Sequence, residues 1–211
     1  RYLLGLTFYY FGYFLAGTTG LIIPIYLHEI LGFSIIKSAL LTSCGLFASI
    51  ITAIAHLILS RHMPKHRVFM TAGLVIFGIG TLILAVTDGK NLTLIILAIL
   101  AQGMAIPMFL GSVAFGTFVE LDIKVFSHGY QVKNIIRQLG LSTSIAAASM
   151  ALQTLGSGTN SLFELREIQH IIGEPGSDLP VMLLACKVVF VTMTISVIPL
   201  CAIVIGQKTF R

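Results

Sequence analysis

The chain has 211 residues, 56% of them hydrophobic and 10% charged, with a mean hydropathy of +0.99. A soluble domain carries roughly 25% charged residues, so this chain cannot cover a water-facing surface, and its apolar residues come in long runs that a soluble amphipathic pattern would scatter. The formal charge of +5 does not point to nucleic acid, because Lys and Arg sit singly or in short clusters between the apolar runs, as in the loops of membrane proteins.

A helix that crosses a bilayer needs about 20 apolar residues. Six runs meet that length, at about 3–27, 39–59, 68–86, 92–118, 130–155 and 179–206. The expected fold class is therefore an all-α membrane protein of six transmembrane helices. The first run opens on Phe8-Tyr9-Tyr10-Phe11-Gly12-Tyr13-Phe14. Phe8 to Phe11 fall where an interfacial aromatic belt belongs, and Tyr13 and Phe14 are candidates to line a cavity. The run closes on Gly20-x-x-x-Pro24, a pairing that lets a helix bend or unwind.

The second run is rich in small residues, among them Ser38, Ala39, Thr42, Ser43, Gly45, Ala48, Ser49, Thr52 and Ala53. Small residues let helix backbones approach closely, so this span reads as a packing surface. His56, near its end, is expected at the interface. A basic loop follows with Arg61, Lys65 and Arg67, and Pro64 between His62 and His66 argues against a helical metal pair. The sequon at Asn91-Leu92-Thr93 is explained by chance. In the fourth run Gln102 lies near mid-membrane, where an amide faces a partner or water, and Gly103-x-x-x-Pro107 repeats the spacing of the first run.

The fifth run carries the densest polar pattern: Gln131, Lys133, Asn134, Arg137, Gln138 and Gly140. Gln131, Asn134 and Gln138 share one helix face. Arg137 lies about two turns inside the span, where a charge costs roughly 2.5–3.5 kcal/mol on insertion scales unless it is paired or snorkels. Two readings of Arg137 stay open, a cation facing a cavity or an acidic partner such as Glu120 or Asp122, and a snorkelling anchor. The same span continues with Ser142, Ser144, Ala146, Ala147, Ala148, Ser149 and Ala151, a second packing surface. In the connector, Ser161 and Glu164 have capping-box spacing, and Leu162, Leu165, Ile168 and Ile172 predict a short surface helix ended by Gly173 and Pro175. Lys187, two turns into the sixth run, is expected to snorkel.

Orientation follows from the basic residues. Arg1, Arg61, Lys65, Arg67, Lys124, Lys208 and Arg211 fall on one side, against Lys37, Lys90 and Arg166 on the other. Both ends of the segment are expected in the cytoplasm of a multi-pass cell-membrane protein. The chain opens directly on an apolar stretch, as a segment of something longer would. Matched Gly/Pro pairs and matched small-residue spans suggest an inverted repeat, with halves at about 1–90 and 91–211. Cys44, Cys186 and Cys201 lack metal-ligand spacing, no catalytic motif is present, and no cofactor or metal is expected.

Two stretches resemble a known family: Pro24-x-Tyr26-Leu27-x-x-x-Leu31-Gly32-x-Ser34, and Asn134-x-x-Arg137-Gln138-Leu139-Gly140-x-Ser142. Together with the span order they resemble the C-terminal half of a major facilitator superfamily transporter, of the EmrB/QacA type with fourteen helices. The resemblance implies outward movement of lipophilic or cationic compounds in exchange for protons, by rocking of two six-helix halves. It implies that spans one and four line the central cavity and that spans two and five face a missing N-terminal half. The loop Ser60-Arg61-His62-Met63-Pro64-Lys65-His66-Arg67 departs from the family's Asp-Arg-x-Gly-x-Arg, so an ion pair there is not implied. The family's proton-carrying acid would lie in the other half. An uptake or metabolite carrier on the same scaffold, or a non-transporting membrane scaffold, are the alternative functions.

Overall fold

The computed structural model describes residues 2–62, 65–87, 91–118, 121–156 and 179–207. They form six long helices, and no strand occurs among the described residues. α1 is Tyr2–Ile25, continued by a π-helical turn over Tyr26–Ile30; α2 is Ile35–His62, α3 His66–Val86, α4 Leu92–Phe118, α5 Ile123–Gly156 and α6 Leu179–Gly206. All six are long and apolar enough to cross a bilayer. The short surface helix expected in the long connector lies outside the described residues, as do Arg1, Lys90, Glu120, Arg166, Lys208 and Arg211.

Helix ends follow local polar chemistry. α2 begins upstream of its apolar run because Ser34 caps it: the Ser34 hydroxyl accepts the Lys37 N–H at 3.3 Å, and the Ser34 carbonyl accepts the Ser38 N–H at 2.9 Å. α5 begins at Ile123 rather than near 130 for the same reason. The Asp122 carboxylate accepts the Lys124 N–H at 3.3 Å and the Asp122 carbonyl accepts the Val125 N–H at 3.0 Å. α2 ends at His62, and Lys65 stands outside the helix as the N-cap of α3.

Pro24 and Pro107 sit inside continuous helix, so neither Gly-Pro pair unwinds its span. Each proline withdraws the hydrogen bond that its glycine's carbonyl, four residues earlier, would accept. After Pro24 the helix widens: Tyr26 O accepts the Leu31 N–H and Leu27 O accepts the Phe33 N–H, both at 3.1 Å. Gly32, at φ +64°, then turns the chain into α2, in the left-handed region that glycine tolerates.

α4 is central, packed on α1, α2 and α3. α1 also runs along α5, α3 along α6, and α5 touches α6. Helices consecutive in the chain run antiparallel, so the packed pairs α1–α5 and α2–α4 are parallel. Tyr2 Oη donates to the Gly129 carbonyl at 2.8 Å at the end that carries the termini, and Tyr26 Oη donates to the Thr87 carbonyl at 3.0 Å at the opposite end. The core includes Ile22, Tyr26, Met70, Leu74, Ile95 and Phe190, all fully buried. α2 and α5 are the least buried helices and present rows of exposed apolar side chains, including Leu46, Phe47 and Ile50 on α2 and Ile135, Leu139 and Ile145 on α5.

Two seams join these outer helices to the centre. On α2–α4, Gly45 meets Gly103 so closely that a Cβ on Gly103 would fall on the Gly45 carbonyl. On α5–α1, a Cβ on Gly140 would lie 2.8 Å from the Tyr10 carbonyl oxygen, and one on Gly17 would strike the Ser144 hydroxyl. Part of each small-residue row thus packs inside the bundle. Ser38 and Gly45 on α2, and Gly140, Ser144 and Ala148 on α5, are buried, whereas Ala39, Ala53, Ser142, Ala146 and Ala147 are exposed.

Candidate functional site: a cation–aromatic face between α1 and α5

Residues four apart share a helix face, and the site grows from that spacing on both helices. α1 contributes Tyr9 and Tyr13, whose rings stack at 6.0 Å and 11°, and Tyr10 and Phe14, stacked at 6.4 Å and 30°. α5 contributes Lys133 and Arg137. The absence of a side chain at Gly140 lets α1 approach, and this brings the rings beneath the cations.

The Arg137 guanidinium carbon lies 5.3 Å from the Tyr13 ring centre. Lys133 Nζ lies 4.0 Å from the Tyr130 ring centre and 5.7 Å from that of Tyr9. Both are cation–π separations, which are stronger where water is excluded. The Tyr10 hydroxyl and Thr143 Oγ1 are 3.0 Å apart. Thr143 spends its own proton on the Leu139 carbonyl at 2.7 Å, so Tyr10 is the donor of that pair.

Around this cluster Asn134 is half-buried, Arg137 and Gln138 are exposed, and no carboxylate among the described residues pairs with Arg137. The face is positively charged, ring-lined and open. It can hold an anion or an aromatic group, or accept an acid from another protein segment.

The other expected site residues lie elsewhere. Gln102, 4% exposed, is inside the α3–α4 contact: Nε2 donates to the Phe77 carbonyl at 3.2 Å, and Oε1 is buried without a partner. Gly20 is exposed with nothing near it, whereas Gly103 is a close-contact glycine, so the two Gly-Pro pairs differ in their surroundings. Pro24 and Pro107 are half-buried. Of the basic residues expected in a loop only Lys65 lies outside a helix: Arg61 is in the last turn of α2 and Arg67 in the first turn of α3, with Arg61 and Lys65 exposed and Arg67 half-buried.

Two expectations are corrected. Phe8 and Tyr9 are not belt residues; both are 3% exposed, Phe8 edge-on to Phe109 at 6.2 Å and Tyr9 against Tyr13. Of that run only Phe11 is exposed, because one face of α1 must cover α4 and α5. His56 is not interfacial either. It is 6% exposed, with Nε2 2.8 Å from Ser112 Oγ and its ring edge-on to Phe69 at 5.0 Å. A hydroxyl on α4 and aromatic neighbours give the imidazole a buried place that α2 alone does not reveal.

Sequence reasoning singled out neither Tyr9 nor Tyr130 as a ring partner, and Lys133 only as a polar neighbour. The signal was present in the spacing of 9 with 13 and of 130 with 133 and 137. Compared with protein-family models, with curated proteins and with solved structures, the chain finds no match.

Proposed function

We propose that the chain is one six-helix half of a secondary active transporter of the major facilitator type. In this reading α1 and α4 flank a central cavity, and α2 and α5 meet a second, N-terminal half. Small lipophilic or cationic compounds leave the cell in exchange for protons, with both ends of the segment cytoplasmic. Export and proton coupling rest on the sequence resemblance alone.

The observation that carries the reading is the packing pattern. Under an exchange of α1 with α4, α2 with α5 and α3 with α6, the α1–α5 contact becomes the α2–α4 contact of similar extent, whereas the extensive α3–α4 contact has only a slight counterpart where the π-helical end of α1 meets α6. The match of α1–α5 with α2–α4 is the part of the pattern that two triplets of opposite orientation would share. The same exchange relates the two least buried helices, α2 and α5, as expected of surfaces that another half covers.

A second reading is favoured by one observation. The α1–α5 face holds Lys133 and Arg137 with no paired carboxylate among the described residues. An organic anion suits such a face better than a cation does, which would make the protein an uptake or metabolite carrier on the same scaffold. The deciding experiment is transport by the full-length protein in vesicles under an imposed proton gradient, with cationic dyes and aromatic carboxylates compared. Proton-driven efflux of the dyes supports export. Carboxylate transport without dye efflux replaces it with the second reading, and movement of neither class rejects both.

A further inference from the structure

At the end of the bundle opposite the termini, the close of α1 and the start of α2 enclose an open cavity of about 500 Å³. That is within the range of roughly 300–1,000 Å³ typical of small-molecule sites. Pro24, Ile25 and Ile35 form apolar walls, and His28 and Glu29 bring polar groups to it. Such a site needs few polar groups, provided that they converge.

Their hydrogen bonding is incomplete in one consistent sense. His28 Nδ1 lies 2.8 Å from the Phe33 carbonyl oxygen. A carbonyl only accepts, so Nδ1 carries a proton, and in the neutral ring Nε2 presents a lone pair. That lone pair lies 3.5 Å from Glu29 Oε1. In that neutral form two acceptors face each other. Lys37 does not answer the need, because its ammonium lies over the Phe33 ring at 3.9 Å and forms no ion pair with Glu29.

We propose that this pocket binds a small organic cation that carries N–H donors, a primary or secondary ammonium on an apolar body. An N–H serves the His28–Glu29 acceptor pair, and the apolar body rests on the proline and isoleucine walls. A quaternary ammonium has the right charge but no donor, so it leaves both acceptors unsatisfied. The site is separate from the α1–α5 face and does not depend on the transport reading.

The test is equilibrium titration calorimetry on the chain in lipid nanodiscs, with 2-phenylethylammonium and its N,N,N-trimethyl analogue as probes. Hydrogen bonds to charged groups predict that the primary amine binds about tenfold or more tightly than the analogue, and that Glu29→Gln loses about tenfold or more. Arg137→Gln is expected to leave binding intact, which separates this site from the transport face. Equal binding of the two probes by the unaltered chain, undiminished binding by Glu29→Gln, or no saturable binding of the amine, with His28 itself donating to Glu29, would each overturn the proposal.

Discussion

The α2–α4 and α1–α5 seams do similar geometric work with opposite chemistry. On α2–α4, backbone meets backbone at Gly45 and Gly103, and at the terminal end His56 is closed in with Ser112 and Phe69. On α1–α5, Gly140 meets the α1 backbone at Tyr10 and Gly17 meets the Ser144 side chain, and at the terminal end Lys133 and Arg137 lie over tyrosine rings on an open face. At that end the first seam offers its imidazole and hydroxyl to no ligand, because they bond each other. The second keeps charge and hydrogen-bonding capacity in reserve. Depth in the membrane is therefore a weaker guide to function than whether the polar groups on a seam already have partners.

The largest effect is expected at Gly103. Gly103→Val drives a side chain into the Gly45 carbonyl, and overpacking of this kind costs about 1–3 kcal/mol or more. Loss of monodisperse folded protein after detergent extraction is the expected outcome, while Gly20→Val, with open space around it, should leave yield unchanged. Equal tolerance at both would remove the distinction between the two Gly-Pro pairs.

Next comes Arg137. If its charge and planar fork both serve transport, Arg137→Lys retains part of the activity, because Lys keeps the charge without the fork. Arg137→Gln should lose nearly all of it. The measurement is transport rate normalised to membrane protein level, and full activity in the Gln form would remove the α1–α5 face from the mechanism.

His56→Ala sharpens the contrast from the other side. It strands the Ser112 hydroxyl, at a cost of about 1–3 kcal/mol. The thermal unfolding midpoint should fall, and transport per folded molecule should not. A loss of specific activity greater than that of Arg137→Lys would make the α2–α4 seam functional. The smallest effect is expected for Ala147→Leu in the six-helix chain, within about 0.5 kcal/mol, because Ala147 is exposed. In the full-length protein the same change should lower transport more than Val191→Leu does. Equal transport by the two variants would argue against a half that docks on α5.

The spans were legible because hydropathy reports the membrane core directly, and α4 and α6 begin and end where their apolar runs do. The starts of α2 and α5 were not, since Ser34 and Asp122 cap turns that lie outside the apolar run. Arg137 stood out as a charge within an apolar stretch. Tyr9 did not, because a belt and a core draw on the same residue types and only neighbouring helices separate them. The turn at Gly32 marks the true end of the segment, but nothing in the sequence says that the backbone stays helical, in a widened form, past Pro24.

The unequal lengths of α3 and α5 bear on the bilayer itself. α3 has 21 residues and is about 32 Å long, close to a hydrocarbon thickness of about 30 Å. α5 has 34 residues and is about 51 Å long, so it either tilts steeply or projects beyond the hydrocarbon. Its first turns carry Lys124, Ser127 and His128, all exposed, which favours projection at the terminal end. α3 is thus the strut that feels lipid chain length. Longer acyl chains would strain its ends while α5 absorbs the difference by drawing polar turns back to the headgroups.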